Sequence, residues 1–391
     1  MRRPDAGARW FLGLLLVAML LQAATAVVRP MASYRALEIG MPVSSLGIVA
    51  AAFAVAPVVL ALSIGRRIDR HGEFPFLAAS TVGLAVAALL VSIVAEPVAL
   101  VVCIGLLGLS QLIFVVADQT LVGSRSPADS YDRRFGNLSF VASLGQLIGP
   151  AAAGLIAGSG SVEGTRQALW FGAALACLAV PLIALQWRRD PGPAIPRSAD
   201  EPARPPVLTI LRMPGMAPAM LASMTVLATM DVLVVYLPAL GEERGIGVAT
   251  IGALLSVRAG ASMASRLFLG RLVDIFGREW LMLGSLAIAA VSVVLLAIVP
   301  LPAMFPVMAV AGLTLGVCQP MTMSWVAARA TANARGTAMS LRLLGNRIGQ
   351  VVIPLAAGSV AVATGTAGVL AAAGLTVAIS AAVMAIQRRR P

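Results

Sequence analysis

Apolar runs of roughly twenty residues follow one another along almost the whole chain, and the short segments between them hold most of its charge. About twenty apolar residues in a helix span the hydrocarbon layer of a bilayer. Only 12% of the 391 residues are charged, against about 25% in soluble domains, too few to cover the surface of a soluble protein of this size. The spacing of the breaks gives twelve runs, the first starting near residue 10 and the last two at 336–362 and 365–387. The chain is therefore expected to be an all-α membrane protein with twelve transmembrane helices. In lipid each backbone N–H and C=O must be satisfied internally, which helices achieve within their own span.

The charges predict an orientation. All 29 basic residues are Arg. With both termini in the cytoplasm, 21 of them fall in cytoplasmic segments, Arg29, Arg35, Arg166 and Arg244 fall outside, and four lie within the membrane. This is the bias of the positive-inside rule and points to a bacterial cytoplasmic membrane. The net charge of +12 then reads as topology and as attraction to anionic lipid, and no nucleic-acid partner is expected. Residues 1–26 have the look of a signal peptide, but removing them would leave the seventh run without a repeat partner.

Several chemistries are excluded. Cys103, Cys177 and Cys318 lie far apart in apolar runs and His71 is the single histidine, so no disulfide framework, metal site or thiol nucleophile is expected. A chain without Lys lacks the phosphate-binding Gly-x-x-x-x-Gly-Lys loop. Neither an enzyme nor a cofactor is anticipated.

Residues 187–213 are rich in Pro and charge and read as a cytoplasmic linker, with six-helix bundles at 1–186 and 214–391. The two halves echo each other. Gly65, Asp69 and Gly72 recur 205 residues later as Gly270, Asp274 and Gly277. Gly136, Gly145 and Gly149 recur 200 residues later as Gly336, Gly345 and Gly349, so Gly-x-x-x-Gly stands in the fifth and eleventh runs. Small residues four apart let helix backbones approach closely, and internal repeats are the mark of many transporters.

Twelve spans in two halves, with Gly-x-x-x-Asp-Arg-x-Gly from Gly65 to Gly72 after the second span and a degenerate copy after the eighth, resemble the major facilitator superfamily. The resemblance implies two pseudo-symmetric six-helix bundles around a cavity lined mainly by spans 1, 4, 7 and 10, working by alternating access. It implies a cytoplasmic conformational latch made of Gly65, Asp69, Arg70 and Gly72 together with Gly270, Asp274, Gly277 and Arg278. The family's loop continues with basic residues where Glu73 and Phe74 stand here, so the charge relay must be partly rewired. In span 5, Gly136, Gly145, Gly149, Pro150 and Gly154, with Ala153 replacing one glycine, are similar to the antiporter motif of drug:proton exchangers. That similarity implies export. The Arg such exporters carry in span 4 is Ile104 here, and span 1 has no acidic residue, so their usual proton-coupling arrangement is incomplete.

An ionisable group in the hydrocarbon costs at least ~2.5 to 3.5 kcal/mol on insertion scales and marks a functional site by default. Such groups are Asp118 in span 4, Asp231 in span 7, Arg258 in span 8, and Arg342 and Arg347 in span 11. At about 100° per residue, Gln111, Phe114 and Asp118 share one stripe, as do Ser139, Ser143 and Gln146. Arg342 and Asn346 share another, with Arg347 turned about 140° from Arg342. These groups and Gln319 are the candidates for substrate binding or proton coupling, with Thr322 and Met323 beside a helix-breaking Pro320. Asp231 paired with Arg258 or Arg342 is an alternative in which the charges only hold the bundle together, and Arg266 suits snorkelling or a latch contact. Three deep Arg against two deep Asp favour an anionic or zwitterionic substrate. The expected function is a monomeric secondary transporter driving efflux of a small organic molecule with protons. Uptake or facilitated passage of an organic anion, with Arg258 and Arg342 as carboxylate clamp, is the alternative.

Overall fold

The computed structural model describes residues 6–125, 131–158, 161–189, 211–213, 215–329 and 335–388. Every regular element among them is helical. In chain order these are α1 Ala6–Glu38, α2 Leu46–His71, α3 Glu73–Ile93, α4 Pro97–Arg125, α5 Tyr131–Ala157 and α6 Val162–Arg189. There follow α7 Met216–Glu243, α8 Val248–Leu267, α9 Arg278–Leu296, α10 Leu301–Arg329 and α11 Arg335–Arg388. A 3-10 turn at Val43–Ser45 and an eight-residue helix at Leu269–Phe276 complete the set.

Each of α1 to α11 contains a stretch long and apolar enough to cross a bilayer. The last stretch, Leu341–Gln387, has 47 residues, about 70 Å of helix against a hydrocarbon thickness of about 30 Å. Its backbone breaks at Gly365, with φ 64° and ψ −167°, a conformation open to glycine and closed to residues with a Cβ. Thus α11 supplies two spans and the count of twelve is met. Just past the break, Thr366 donates its backbone N–H (3.2 Å) and its hydroxyl to Glu243 Oε1 at the end of α7. A carboxylate thereby satisfies a donor that the new helix start leaves unpaired.

The chain forms two compact units. Unit 1 holds Met1–Gly40, Ala56–Ser198 and Gly247–Ser256, and unit 2 holds Met41–Val55, Ala199–Ile246 and Val257–Pro391. The units follow the sequence halves except that the first turns of α2 belong with unit 2 and the first turns of α8 with unit 1.

In unit 1, α1 packs on α5 and α6, and α3 on α4 and α6. In unit 2, α7 packs on α10 and α11, and α9 on the same two helices. Lipid gives helices no hydrophobic reason to associate, so close backbone approach must do it. A Cβ at Gly145 would stand 2.8 Å from the Met19 oxygen and the Ala23 nitrogen of α1, and one at Gly149 would stand 2.8 Å from the Ala23 oxygen. Gly349 lies against Met224 of α7, so this half of the glycine echo keeps its partner helix, whereas Gly345 faces open space. A pair not singled out in the sequence, Gly312 and Gly316 of α10, presses on α8, with a Cβ at Gly312 2.9 Å from the Arg258 Cα and one at Gly316 2.7 Å from the Ser262 Cα.

Two further crossings correspond. In unit 1, Gly252 of α8 lies against the Pro150 carbonyl and, with a Cβ 3.0 Å away, the Gly154 Cα of α5. In unit 2, Gly47 of α2 lies against the Pro354 carbonyl of α11, and Gly358, one turn on, lies against the Ser44 carbonyl. Gly47 and Gly252 are 205 residues apart, and both Pro150 with Pro354 and Gly154 with Gly358 are 204 apart.

Candidate functional site

In unit 1 a polar contact joins α1 to α4. Thr25 Oγ1 of α1 donates to Gln111 Oε1 of α4 at 3.1 Å, and lies 2.9 Å from the Leu21 carbonyl of its own helix. Seven residues on from Gln111, Asp118 is 4% exposed, and its Oδ1 makes no hydrogen bond. Of the stripe on α5, Ser143 is buried and donates to the Ser139 carbonyl at 2.9 Å, while Ser139 and Gln146 are exposed. That face of α5 therefore brings one serine inward and leaves the amide outside.

In unit 1, two arginines lie over aromatic rings. Arg125 Cζ is 4.9 Å from the Phe74 ring centroid and 5.8 Å from that of Trp10, and Arg134 Cζ is 5.3 Å from Trp10 and 5.4 Å from Phe11. Cations over ring faces are attracted by the ring quadrupole. Phe74, which replaces a basic residue of the family's loop, is buried beneath Arg125. Gly72 and Gly277, equivalent across the repeat, adopt φ of 82° and 73° as they start α3 and α9, a turn that L side chains resist. Gly65 and Gly270 border open space, and Gly270, Asp274 and Arg278 are exposed. The side chains of Asp69 and Arg70, and the surroundings of Gly136 and Gly336, lie outside the described residues.

Unit 2 is more heavily wired. On α11, Arg342 is 4% exposed. Its Nε donates to Thr322 Oγ1 (3.2 Å), and its Nη2 contacts that same oxygen (3.0 Å), the Gln319 carbonyl (3.1 Å) and Gln319 Oε1 (2.9 Å), all on α10. Gln319 is itself held, since its Nε2 donates to the Ser223 carbonyl of α7 at 3.1 Å. The other face of α11 makes a separate chain, in which Arg347 Nη1 donates to Gln350 Oε1 at 3.0 Å and Gln350 Nε2 donates to Asp231 Oδ2 of α7. The rotation between Arg342 and Arg347 thus sends one to α10 and the other towards α7. Arg342 does not reach Asp231.

Asn346, one turn after Arg342, is buried, and its Oδ1 makes no hydrogen bond, as do the buried hydroxyls of Ser223 and Thr229 on α7. Arg258 is buried in α8 with its backbone under Gly312. Arg266 and Met323 are exposed. Tyr236 is wholly buried, its hydroxyl 3.1 Å from where a Gly47 Cβ would stand, so it belongs to the α2–α11 crossing and not to a ligand-stacking surface.

Sequence reading passed over Gln350, Thr25 and Ser223. An amide or hydroxyl inside an apolar run carries no periodic signal, and its partner depends on the register between helices. Gly47 and Gly252 did carry one, because they share the 205-residue offset of the Gly65–Gly72 and Gly270–Gly277 segments.

Among solved structures, the chain is similar to a bacterial homolog of the human lysosomal transporter Spinster in an inward-facing, unoccupied conformation, with a TM-score of 0.83, 14% identity, and 99% of this chain and 98% of that one covered. It is also similar to a point mutant of the nucleoside transporter NupG, with a TM-score of 0.81, 15% identity, and 97% and 99% covered. At such identity the likeness speaks for the fold alone. No curated protein sequence matches. The family description of the Major Facilitator Superfamily matches residues 14–247 and 219–391, and hence almost the entire length. The chain belongs to the Major Facilitator Superfamily and is a multi-pass membrane transporter, not an enzyme.

Proposed function

We propose that the protein is a proton-driven exporter of a small organic molecule, working by alternating access in a bacterial cytoplasmic membrane with both termini in the cytoplasm. Its unit of function is the monomer. The observation that carries this reading is Asp118, a carboxylate 4% exposed in span 4 whose Oδ1 makes no hydrogen bond. An oxygen so placed can take up and release a proton without giving up a hydrogen bond of its own, as a coupling residue must. The antiporter-like glycines of α5 support export. Gly145 and Gly149 seat that helix on α1, and Pro150 and Gly154 seat it on the start of α8.

The test uses purified protein in liposomes with an internal pH dye and an imposed pH gradient, after a thermal-shift screen of metabolites and drugs has supplied a substrate. Substrate should release or consume protons in the wild type and move without the gradient's influence in Asp118→Asn. Proton-coupled flux unchanged in that variant would remove the assignment. A second reading, uptake or facilitated passage of an organic anion, is favoured by Arg342, whose bonded partners are all neutral. Flux in everted against right-side-out vesicles separates the two directions.

A further inference from the structure

We propose that unit 2 holds a binding site for a small organic carboxylate that also bears a hydroxyl or amine donor, with Arg342 as its counter-ion and Asn346 and Ser223 as its polar readers. The proposal rests on the transporter reading above for its purpose and names the class of substrate, whichever direction it moves.

The charge comes first. Arg342 is buried in an apolar span, and its partners are a hydroxyl, a carbonyl and an amide oxygen. Neutral dipoles fix where a guanidinium points but leave its charge in place, and a buried cation without an opposing charge is unfavourable. Among the described residues no carboxylate accepts from it. The orientation is also particular. Nε and Nη2 are taken by α10, whereas Nη1 donates to no protein group among the described residues. Arg presents five N–H donors in a fixed fork, so bonds along one edge aim the Nη1 edge outward, ready for an anionic oxygen.

Two further buried polar groups of unit 2 make no hydrogen bond. Asn346 sits four residues beyond Arg342 on the same face of α11, about 6 Å away, and its buried Oδ1 accepts nothing. Ser223 Oγ of α7 is buried and makes no hydrogen bond, while its carbonyl holds Gln319, the residue that steers Arg342. The packing of Gly349 on Met224 brings α7 and α11 together there, three residues past Asn346 and one past Ser223. Buried polar groups are satisfied as a rule, and an empty acceptor beside an uncompensated cation describes the ligand. An anionic oxygen meets Nη1, and a donor about one helical turn away meets Asn346 Oδ1, with the Ser223 hydroxyl able to serve either. Inorganic anions meet the first requirement and fail the second.

The test compares acids with their own amides on the full-length protein. Thermal shifts are recorded with lactate, alanine, propionate, lactamide and chloride at equal ionic strength, for wild type, Arg342→Gln, Arg342→Lys and Asn346→Ala. In the wild type, lactate or alanine should stabilise more than propionate, and propionate more than lactamide or chloride. Arg342→Gln should weaken the acids at least tenfold, and Arg342→Lys should restore part of it. Asn346→Ala should erase the difference between lactate and propionate while both still bind. A wild type that answers acid and amide alike overturns the site without recourse to any variant, and so does Arg342→Gln binding acids as tightly as wild type. If Arg342→Gln does not fold, the wild-type series and Asn346→Ala decide. Acid-specific binding without gradient-driven flux would overturn the proton-coupled reading and leave this site standing. Gradient-driven flux of an uncharged substrate, undiminished in Arg342→Gln, would do the reverse.

Discussion

Asp118 in unit 1 and Asp231 in unit 2 are the same residue type at comparable burial, yet they sit in opposite surroundings. Asp231 accepts from Gln350, which is held in turn by Arg347. Asp118 has an oxygen that no group among the described residues donates to. A carboxylate in a membrane span becomes a fixed structural element where a neighbouring helix brings an amide within reach, and keeps an oxygen open to a proton where none does. The same contrast applies to the cations. Arg342 is oriented by neutral oxygens, and Arg125 and Arg134 of unit 1 rest on aromatic rings.

The sharpest way to break this comparison is to neutralise each carboxylate in turn. Asp118→Asn should lower gradient-driven flux tenfold or more while the melting temperature of the purified protein barely moves. A variant that keeps its flux would remove Asp118 from coupling, and one that unfolds would make it as structural as its counterpart. Asp231→Leu should behave oppositely and take away the acceptor of Gln350 Nε2. The cost expected for stranding a buried polar group is about 1–3 kcal/mol, read as a lower midpoint in chemical unfolding.

The crossings offer a control, because there the two units are alike. Gly252→Ala and Gly47→Ala each drive a methyl into a proline carbonyl, and overpacking of this kind costs about 1–3 kcal/mol. The two variants should lose similar stability in the same unfolding assay. A large difference between them would mean that the repeat is equivalent in sequence and not in mechanics. The smallest effect belongs to Thr25→Val, which removes the α1–α4 hydroxyl contact to Gln111. Interhelical hydrogen bonds in membrane proteins average about 0.6 kcal/mol, so its midpoint should shift only slightly, and less than that of Gln350→Leu.

Much of the fold could be read before any coordinates, because the bilayer reduces the problem to counting apolar runs. The break near residue 365 is an example, as is the matching turn at Gly72 and Gly277. The polar wiring was less accessible. The 140° separation of Arg342 from Arg347 was visible in the helical period and was enough to say that they act apart. Which helix each meets was not visible, since that depends on the depth at which α7 and α10 slide along α11. Gln350 was overlooked for the same reason. The glycine echo shows the limit in another form. Gly149 and Gly349 both found a neighbouring helix, but Gly345, which holds the same place in the repeat as Gly145, found none.

The assignment of the first turns of α2 to unit 2, and of α8 to unit 1, bears on what happens when the chain is cut. A break anywhere in the linker yields two fragments, neither of which carries a whole compact unit. The N-terminal piece keeps Met41–Val55, which unit 2 needs, and the C-terminal piece keeps Gly247–Ser256, which unit 1 needs. Fragments that each hold a missing part of the other are complementary in the manner of a split reporter. Made together, they should co-purify and transport. Made singly, each should be left with an unfinished unit and be cleared by membrane proteolysis.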